Sequence, residues 1–411
     1  MPEFPLQFAS RQIRRTFERA IGKSAPKILT ELITNSDDSY RRLEKLDTQE
    51  GKTDSLPITI IFERSKKRIR VIDRAEGLTD KEMEQYFVVY GKESADRKQG
   101  FRTRSLFGKG LRDVLFTQHH GQVKSIKNDL FYNCQFRWKG EKGHELPIVD
   151  IKAPARVTPE LRKSFDVPGN GTVIEFQLRE DAITPRPEKL VAKLNNFYML
   201  RMINSSPHRA IILKAINPQG KMVKEYQLTY KFPEIEVLKK VDDVLKLDDG
   251  STVQIQGEIG LVDHELSQGE VGYEDREGGL LILDEDDSVL DLSLFGFDED
   301  PYARRIIGLL KVFGAGTYIR KKLNQEQPEE ILSETRDGFD KNHPFFRILR
   351  EQIRPYLEPI VEKLRKREPI SKSKLSDQAV AKQKQAFEIL NKLYSRSEER
   401  RVGKECRSRW S

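Results

Sequence analysis

Apolar residues in the first part of the chain recur at helical spacing, with Ile28, Leu29, Leu32 and Ile33 forming one stripe. With Ser24 as N-cap and Pro26 in the first turn, the pattern predicts a helix running to about Leu46. Glu31, Asn35 and Asp38 fall at i, i+4 and i+7 of that helix, so three polar side chains share a second face. A polar stripe of this kind is ordinarily a solvated surface, and the pattern alone leaves that reading open.

Around this helix, "RQIRRTFERAIG" predicts a short amphipathic helix, and "LPITIIFE" and "KRIRVID" predict two strands joined by the turn "RSKK". "TDKEMEQYF" predicts a helix that Thr79 caps, with Glu82 completing a capping box. A segment rich in Gly, Ser, Lys and Arg, Gly91 to Gly110, leads into the helix "LRDVLFTQ", and "LFYNCQFRW" and "GTVIEFQL" read as strands. A helical connector covers Pro185 to Ser206. Beyond it, "HRAIILKAI", "MVKEYQLTY", "STVQIQGEIGLV" and "GGLLILD" alternate as strands, whereas "PYARRIIGLLKVF" predicts a helix and Phe345 to about Arg367 a charged helical stretch. No internal repeat is evident. The expected fold class is α/β (α+β), with two α/β domains and a helical tail.

Composition changes the picture in three places. At 411 residues the chain is long enough for two or three domains with proper cores. The last sixteen residues, "RSEERRVGKECRSRWS", resemble the in-frame translation of a sequencing-library adapter and are set aside from fold reasoning. They carry six Lys/Arg and three Asp/Glu, which lowers the net charge from +8 to +5, and they remove Cys406, leaving Cys134 as the one cysteine. One thiol makes no internal disulfide, in keeping with a reducing compartment. No stretch has the apolar length to cross a bilayer and "MPEFPLQFAS" does not read as a signal peptide, so a cytoplasmic location is expected. The natural chain is expected to continue beyond Ser395.

Four blocks stand in order along the first 180 residues. "ELITNSDDSYRRLEKL" begins at Glu31; "VIDRAEGLTDKEM" places Asp73 at a strand end, then Gly77 and a capped helix; "SLFGKGLRDVLF" places Gly108 and Gly110 at a helix start; "NGTVIEFQL" places Gly171 and Thr172 at the start of a strand. Together they resemble the GHKL ATPases, the superfamily of DNA gyrase B, the ninety-kilodalton heat-shock chaperones, the histidine kinases, MutL and the MORC proteins, and lie nearest its chaperone and MORC branches. The resemblance implies a Bergerat-type ATP-binding α/β sandwich over residues 1–184 with a mobile lid at about 91–107. A helical connector (185–206), a transducer-like or middle-like α/β domain (207–344) and a charged helical tail (345–395) would follow.

The residue roles are those the resemblance implies. Glu31 would polarise the attacking water as general base. Asn35 would give its amide oxygen to Mg2+, which prefers oxygen ligands. Asp38 would support the hydrated metal or the pocket from behind. Asp73 would accept the N6–H of adenine, Gly77 would let the backbone pass close to the ring, and Thr172 would share a water with Asp73. Gly108, Lys109 and Gly110 would hold phosphate at a helix N-terminus, and Lys92 and Ser94 of the lid would touch the nucleotide. Read singly, Asp73 is also compatible with a turn acid and the glycines with an ordinary turn. The chain departs from the family pattern at Ala75 and Ser105, where glycine is usual.

For the basic residue that reaches back to the γ-phosphate from the second domain, "EEILSETRDGFDKNHPFFRILREQI" resembles the chaperone loop and points to Arg336, with Lys311 of "GLLKVFGAG" as runner-up. Arg336 is equally compatible with a surface ion pair to Glu334 or Asp337. The resemblance therefore implies ATP and Mg2+ as cofactors, homodimerisation on ATP binding, DNA or a client protein as target, and no membrane. The basic clusters "RSKKRIR", "IRKK" and "KLRKR" make non-specific DNA contact conceivable, offset by the acidic stretch "LDEDDSVLDLSLFGFDED". A regulatory module that binds ATP without turnover is the alternative. No helix with an acceptor histidine precedes the first block, which argues against a histidine kinase.

Overall fold

The computed structural model describes residues 9–21, 24–50, 56–88, 110–142, 144–269, 275–333 and 337–367. Residues up to Arg354 form one compact unit containing two β-sheets; the rest, from Pro355, is a second unit whose described residues are helical. The class is mixed α/β.

The first sheet is built from β1 (Ile58–Glu63), β2 (Arg68–Asp73), β3 (His119–Lys127), β4 (Leu130–Lys139), β5 (Leu146–Ile151), β6 (Ala155–Arg156), β7 (Gly171–Gln177), β8 (Ile211–Ile216) and β9 (Met222–Leu228). Its order is β5-β4-β3-β7-β2-β1-β8-β9, with β6 also paired to β4. Among the described residues, the β1–β8 contact is the one parallel strand pairing of this sheet. Alternation along β1 and β7 sends Ile58, Ile60, Phe62, Ile174 and Phe176 into one core. The helices α1 (Ser10–Ile21), α2 (Ala25–Glu50), α3 (Asp80–Phe87), α4 (Gly110–Thr117) and, after α5 (Pro159–Phe165), α6 (Pro187–Asn196) all contribute to that core. On the opposite face a smaller cluster of Ile72, Ile126 and Val173 lies under Phe165 and Val167.

The sequence-based boundary between 184 and 207 does not coincide with the edge of this sheet, because β8 and β9 belong to it. The chain crosses from one core to the other within two residues: Phe197 packs in the first core and Tyr198 against Leu281, Leu283 and Leu292 of the second sheet. The short α7 (Arg201–Asn204) then returns to the first core through Ile203.

The second sheet has the order β10-β11-β14-β12-β13, formed by β10 (Glu236–Lys246), β11 (Thr252–Leu261), β12 (Gly279–Asp284), β13 (Val289–Ser293) and β14 (Ile306–Phe313). Here one expectation is corrected. "PYARRIIGLLKVF" is not a helix: Pro301–Arg305 is a single 3-10 turn and Ile306–Phe313 is the central strand, antiparallel to β11 and parallel to β12. A short apolar run does not by itself distinguish the two states. Gly308 marks the strand, since a Cβ there would lie 2.3 Å from the Glu258 carbonyl oxygen. Within the acidic stretch, Asp284 and Asp291 are buried, capping the turn after β12 and binding Lys341 respectively. After β14 come α8 (Ala315–Leu323) and α9 (Pro344–Arg367), where Tyr318 stacks on Phe345 and Phe295 on Phe346.

A buried ion pair fixes α2 against the first sheet. Arg209, just before β8, donates from Nε to Asp37 at 2.8 Å and from Nη2 to Glu44 at 2.7 Å, and its guanidinium lies 4.4 Å from the Tyr40 ring centroid. Burial alone would lower its pKa, but Asp37 and Glu44 outweigh that and hold it above its ordinary value. Arg209→Ala would leave the buried Asp37 with the more distant Arg41, at 3.9 Å, as its cation. We expect a loss of about 3 kcal/mol in unfolding free energy, read as a lower denaturant midpoint.

Candidate functional site

Three elements of the first sheet's helical layer carry the site: α2, the turn after β2, and the start of α4. The first turns of α2 bury Ile28, Leu29, Leu32 and Ile33, which rotates Glu31 and Asn35 to the half-buried edge of the core. Asn35 Nδ2 donates to Glu31 Oε1 at 3.3 Å, so the two groups expected to act together are in contact. With its nitrogen turned to the carboxylate, the Asn35 amide leaves its oxygen as the end that suits a cation. Asp38 is buried on the same helix, 3% exposed.

Asp73 closes β2, where the ladder places it directly opposite Thr172 of β7. Its Oδ1 accepts the Ala75 N–H at 3.2 Å. Burial lifts the Asp73 carboxyl to about 7, a rise held back by the backbone N–H groups of Ala75 and Thr172 and by the charge of Arg42. Among the described residues no ion pair forms with it. Ala75, where glycine is usual in the resembled family, is 3% exposed, and its methyl group packs in the first core while its N–H serves Asp73.

Gly77 is constrained by the fold itself. Its φ is +69°, and a Cβ there would lie 2.3 Å from the Ile126 carbonyl oxygen, so the constraint comes from the neighbouring strand β3. Ser125 of β3 completes the turn by accepting the Leu78 N–H at 2.5 Å. The capping box of Thr79 and Glu82 then starts α3 as expected.

Gly110 is the buried first residue of α4, and α4 packs against α2. Gly108, Lys109, Lys92, Ser94 and Arg336 lie outside the described residues. Lys311 sits on β14 and donates to Asp287 Oδ1 at 2.7 Å. Cys134 is buried on β4 with its thiol pushed up to about 12 by burial, an inert environment for a thiol.

Sequence reasoning missed the side chains that tie α2 to the turn. Tyr40 Oη accepts the Arg74 N–H at 2.9 Å, and Arg42 Nε donates to Glu76 at 2.7 Å. Their only signal in the chain is position: both follow Glu31 on α2, about two and three turns on. Among the described residues no cluster of three or more His, Cys, Asp or Glu side chains could hold a metal ion. No helix there is long and apolar enough to cross a membrane.

The raised Asp73 pKa makes a stability statement. The carboxyl holds its proton to about pH 7 when folded and to about pH 4 when unfolded, so folding is unpenalised below pH 4. The penalty grows between these values and reaches a few kcal/mol, about 4 at most, above pH 7. Asp73→Asn should therefore raise the melting temperature at pH 8, with the advantage shrinking towards pH 4. A variant no more stable than the parent at pH 8 would contradict the buried, destabilising carboxylate.

No family model matches this chain, and no curated protein matches it.

Proposed function

We propose that this chain is a Mg2+-dependent ATPase of the GHKL type, built on a Bergerat-type ATP-binding domain. In this reading, ATP binding closes the lid and draws two ATPase domains together, slow hydrolysis releases them, and the protein works as a clamp or switch on DNA or a client protein. The observation that carries the reading is Asp73: a buried carboxyl at a strand end, met by backbone N–H groups and opposite Thr172. Burying such a group without an ion pair is unfavourable for folding alone, and an adenine amino group is the kind of neutral donor it lacks.

The rest of the site agrees in chemistry. Glu31 is the carboxylate that would take a proton from water, and the hydrogen bond from Asn35 keeps it oriented. Asn35 would hold Mg2+ through its amide oxygen, the remaining ligands being phosphate oxygens and water. A bound Mg2+ would supply neutralisation of charge developing on the phosphates. Gly110 opens α4, whose N-terminus suits an anion. Arg336 and Lys311 remain the candidates for a basic contact from the second domain.

Glu31→Gln should retain saturable Mg-ATP binding while lowering turnover by about 100-fold or more. Turnover unaffected by that change would overturn the base assignment, and binding without any turnover in the parent would favour a nucleotide sensor. Since the ionised Asp73 accepts from the adenine amino group more strongly than the protonated acid, protonation below about pH 7 weakens nucleotide binding. ATP affinity should then fall by up to about tenfold per pH unit below that value and level off above it, as measured by calorimetric titration from pH 5.5 to 8.5.

A further inference from the structure

The second half of α2 grips the chain just past Asp73. Tyr40 is 1% exposed, and its hydroxyl accepts the N–H of Arg74, the residue that follows the acid. Its ring cannot shift freely, because the Arg209 guanidinium lies over it and is itself held by Asp37 and Glu44. Burial pushes the Tyr40 hydroxyl well above its ordinary pKa, with the negative charge of Asp73 adding to the rise, so the phenol stays neutral. Two residues on, Arg42 holds Glu76 in the same turn.

Phenylalanine would fill the same space under the same guanidinium. The hydroxyl therefore contributes one thing that packing does not: it fixes the peptide between Asp73 and Arg74, and with it the bend by which the chain leaves β2. The carboxyl departs from that bend. A carboxylate that accepts from a base discriminates amino from carbonyl substituents only if its direction is fixed, since a free rotor could turn away from a mismatched oxygen.

We propose that Tyr40 is a positioning residue for base selection, holding the turn after Asp73 so that the acid distinguishes an amino-purine from an oxo-purine nucleotide. This rests on the ATP reading of the site. It makes α2 responsible for both ends of the nucleotide, through Glu31 and Asn35 at one end and Tyr40 at the other.

The test is a titration of the parent chain and Tyr40→Phe with ATP and with GTP, in Mg2+, alongside steady-state turnover. Tyr40→Phe should weaken ATP binding about 5- to 10-fold, appearing in KM with kcat little changed, and leave GTP binding as it was. The ATP/GTP preference then falls by the same factor. A purely structural role would weaken both nucleotides alike and lower the melting temperature. The substitution is also made in the Asp73→Asn background, which is expected to be the more stable fold; with no acid left to aim, Tyr40→Phe should there leave the preference unchanged. Saturable ATP binding by the parent with a preference unmoved by Tyr40→Phe would overturn the role of Tyr40 alone. A parent chain that takes up no ATP would instead overturn the reading of the whole site, and this assignment with it.

Discussion

The arrangement depends first on the buried contact between Arg209 and α2. A guanidinium almost removed from water is tolerable only when its charge is met, and Asp37, Glu44 and the Tyr40 face meet it from three successive turns of one helix, through Nε, Nη2 and the ring face, while Nη1 finds no hydrogen-bond partner among the described residues. That fixes the rotation of α2 about its own axis. Apolar packing of Ile28, Leu29, Leu32 and Ile33 sets which side faces the core, but a stripe of aliphatic side chains tolerates some rotation and sliding. A three-sided polar socket tolerates much less. The orientation of Glu31 and Asn35 at the core's edge follows from both.

The same contact requires that the first sheet extend beyond the expected boundary. Arg209 lies two residues before β8, and β8 runs parallel to β1 in register Ile58 with Ile211. The guanidinium reaches α2 only once β8 has been added to the sheet. The unit that holds α2 in place therefore needs residues far downstream of the four blocks, and a boundary drawn where those blocks end would separate the helix from its anchor. Tyr198 and its neighbours pack against the second sheet immediately before this point, so the connector belongs to both cores.

What could be read in the chain was what local physics writes into it. The aliphatic spacing of α2, the capping box of α3 and the alternation of β1, β2 and β7 are short-range signals, and all three correspond to the elements observed. Several strands carried little signal. β10 reads "EVLKKVDDVLK", with only Val241 and Leu245 buried, so its exposed face hides the alternation. β14 carried the opposite ambiguity, an apolar run buried on both sides. Of the site, Asp73 and Thr172 could be paired from their blocks, but not the Tyr40–Arg74 bond or the Arg209 socket. The latter joins residues 172 positions apart, and nothing local in either segment names the other. Gly77 was singled out for a close approach of backbone to a base; the constraint the fold itself adds, the Ile126 carbonyl, lies on a strand the sequence did not reveal.

α2 also meets the second sheet. Arg41 Nη1 donates to the Asp286 carbonyl at 2.9 Å and its Nη2 lies 4.0 Å from Asp287, the carboxylate that accepts from Lys311. The turn is rigid for its length: buried Asp284 accepts the N–H groups of Asp286 and Ser288, and Glu285 accepts those of Gly314, Gly316 and Thr317 at the start of α8. A displacement of α2 near Arg41 would therefore bear on a braced turn. Lys311, for its part, has its ammonium engaged at that turn. For it to serve a phosphate, the pair with Asp287 would have to open, and that carboxylate would be left with Arg41 as the nearer cation. The helix that carries the candidate catalytic pair thus contacts, through Arg41, the same turn that engages Lys311.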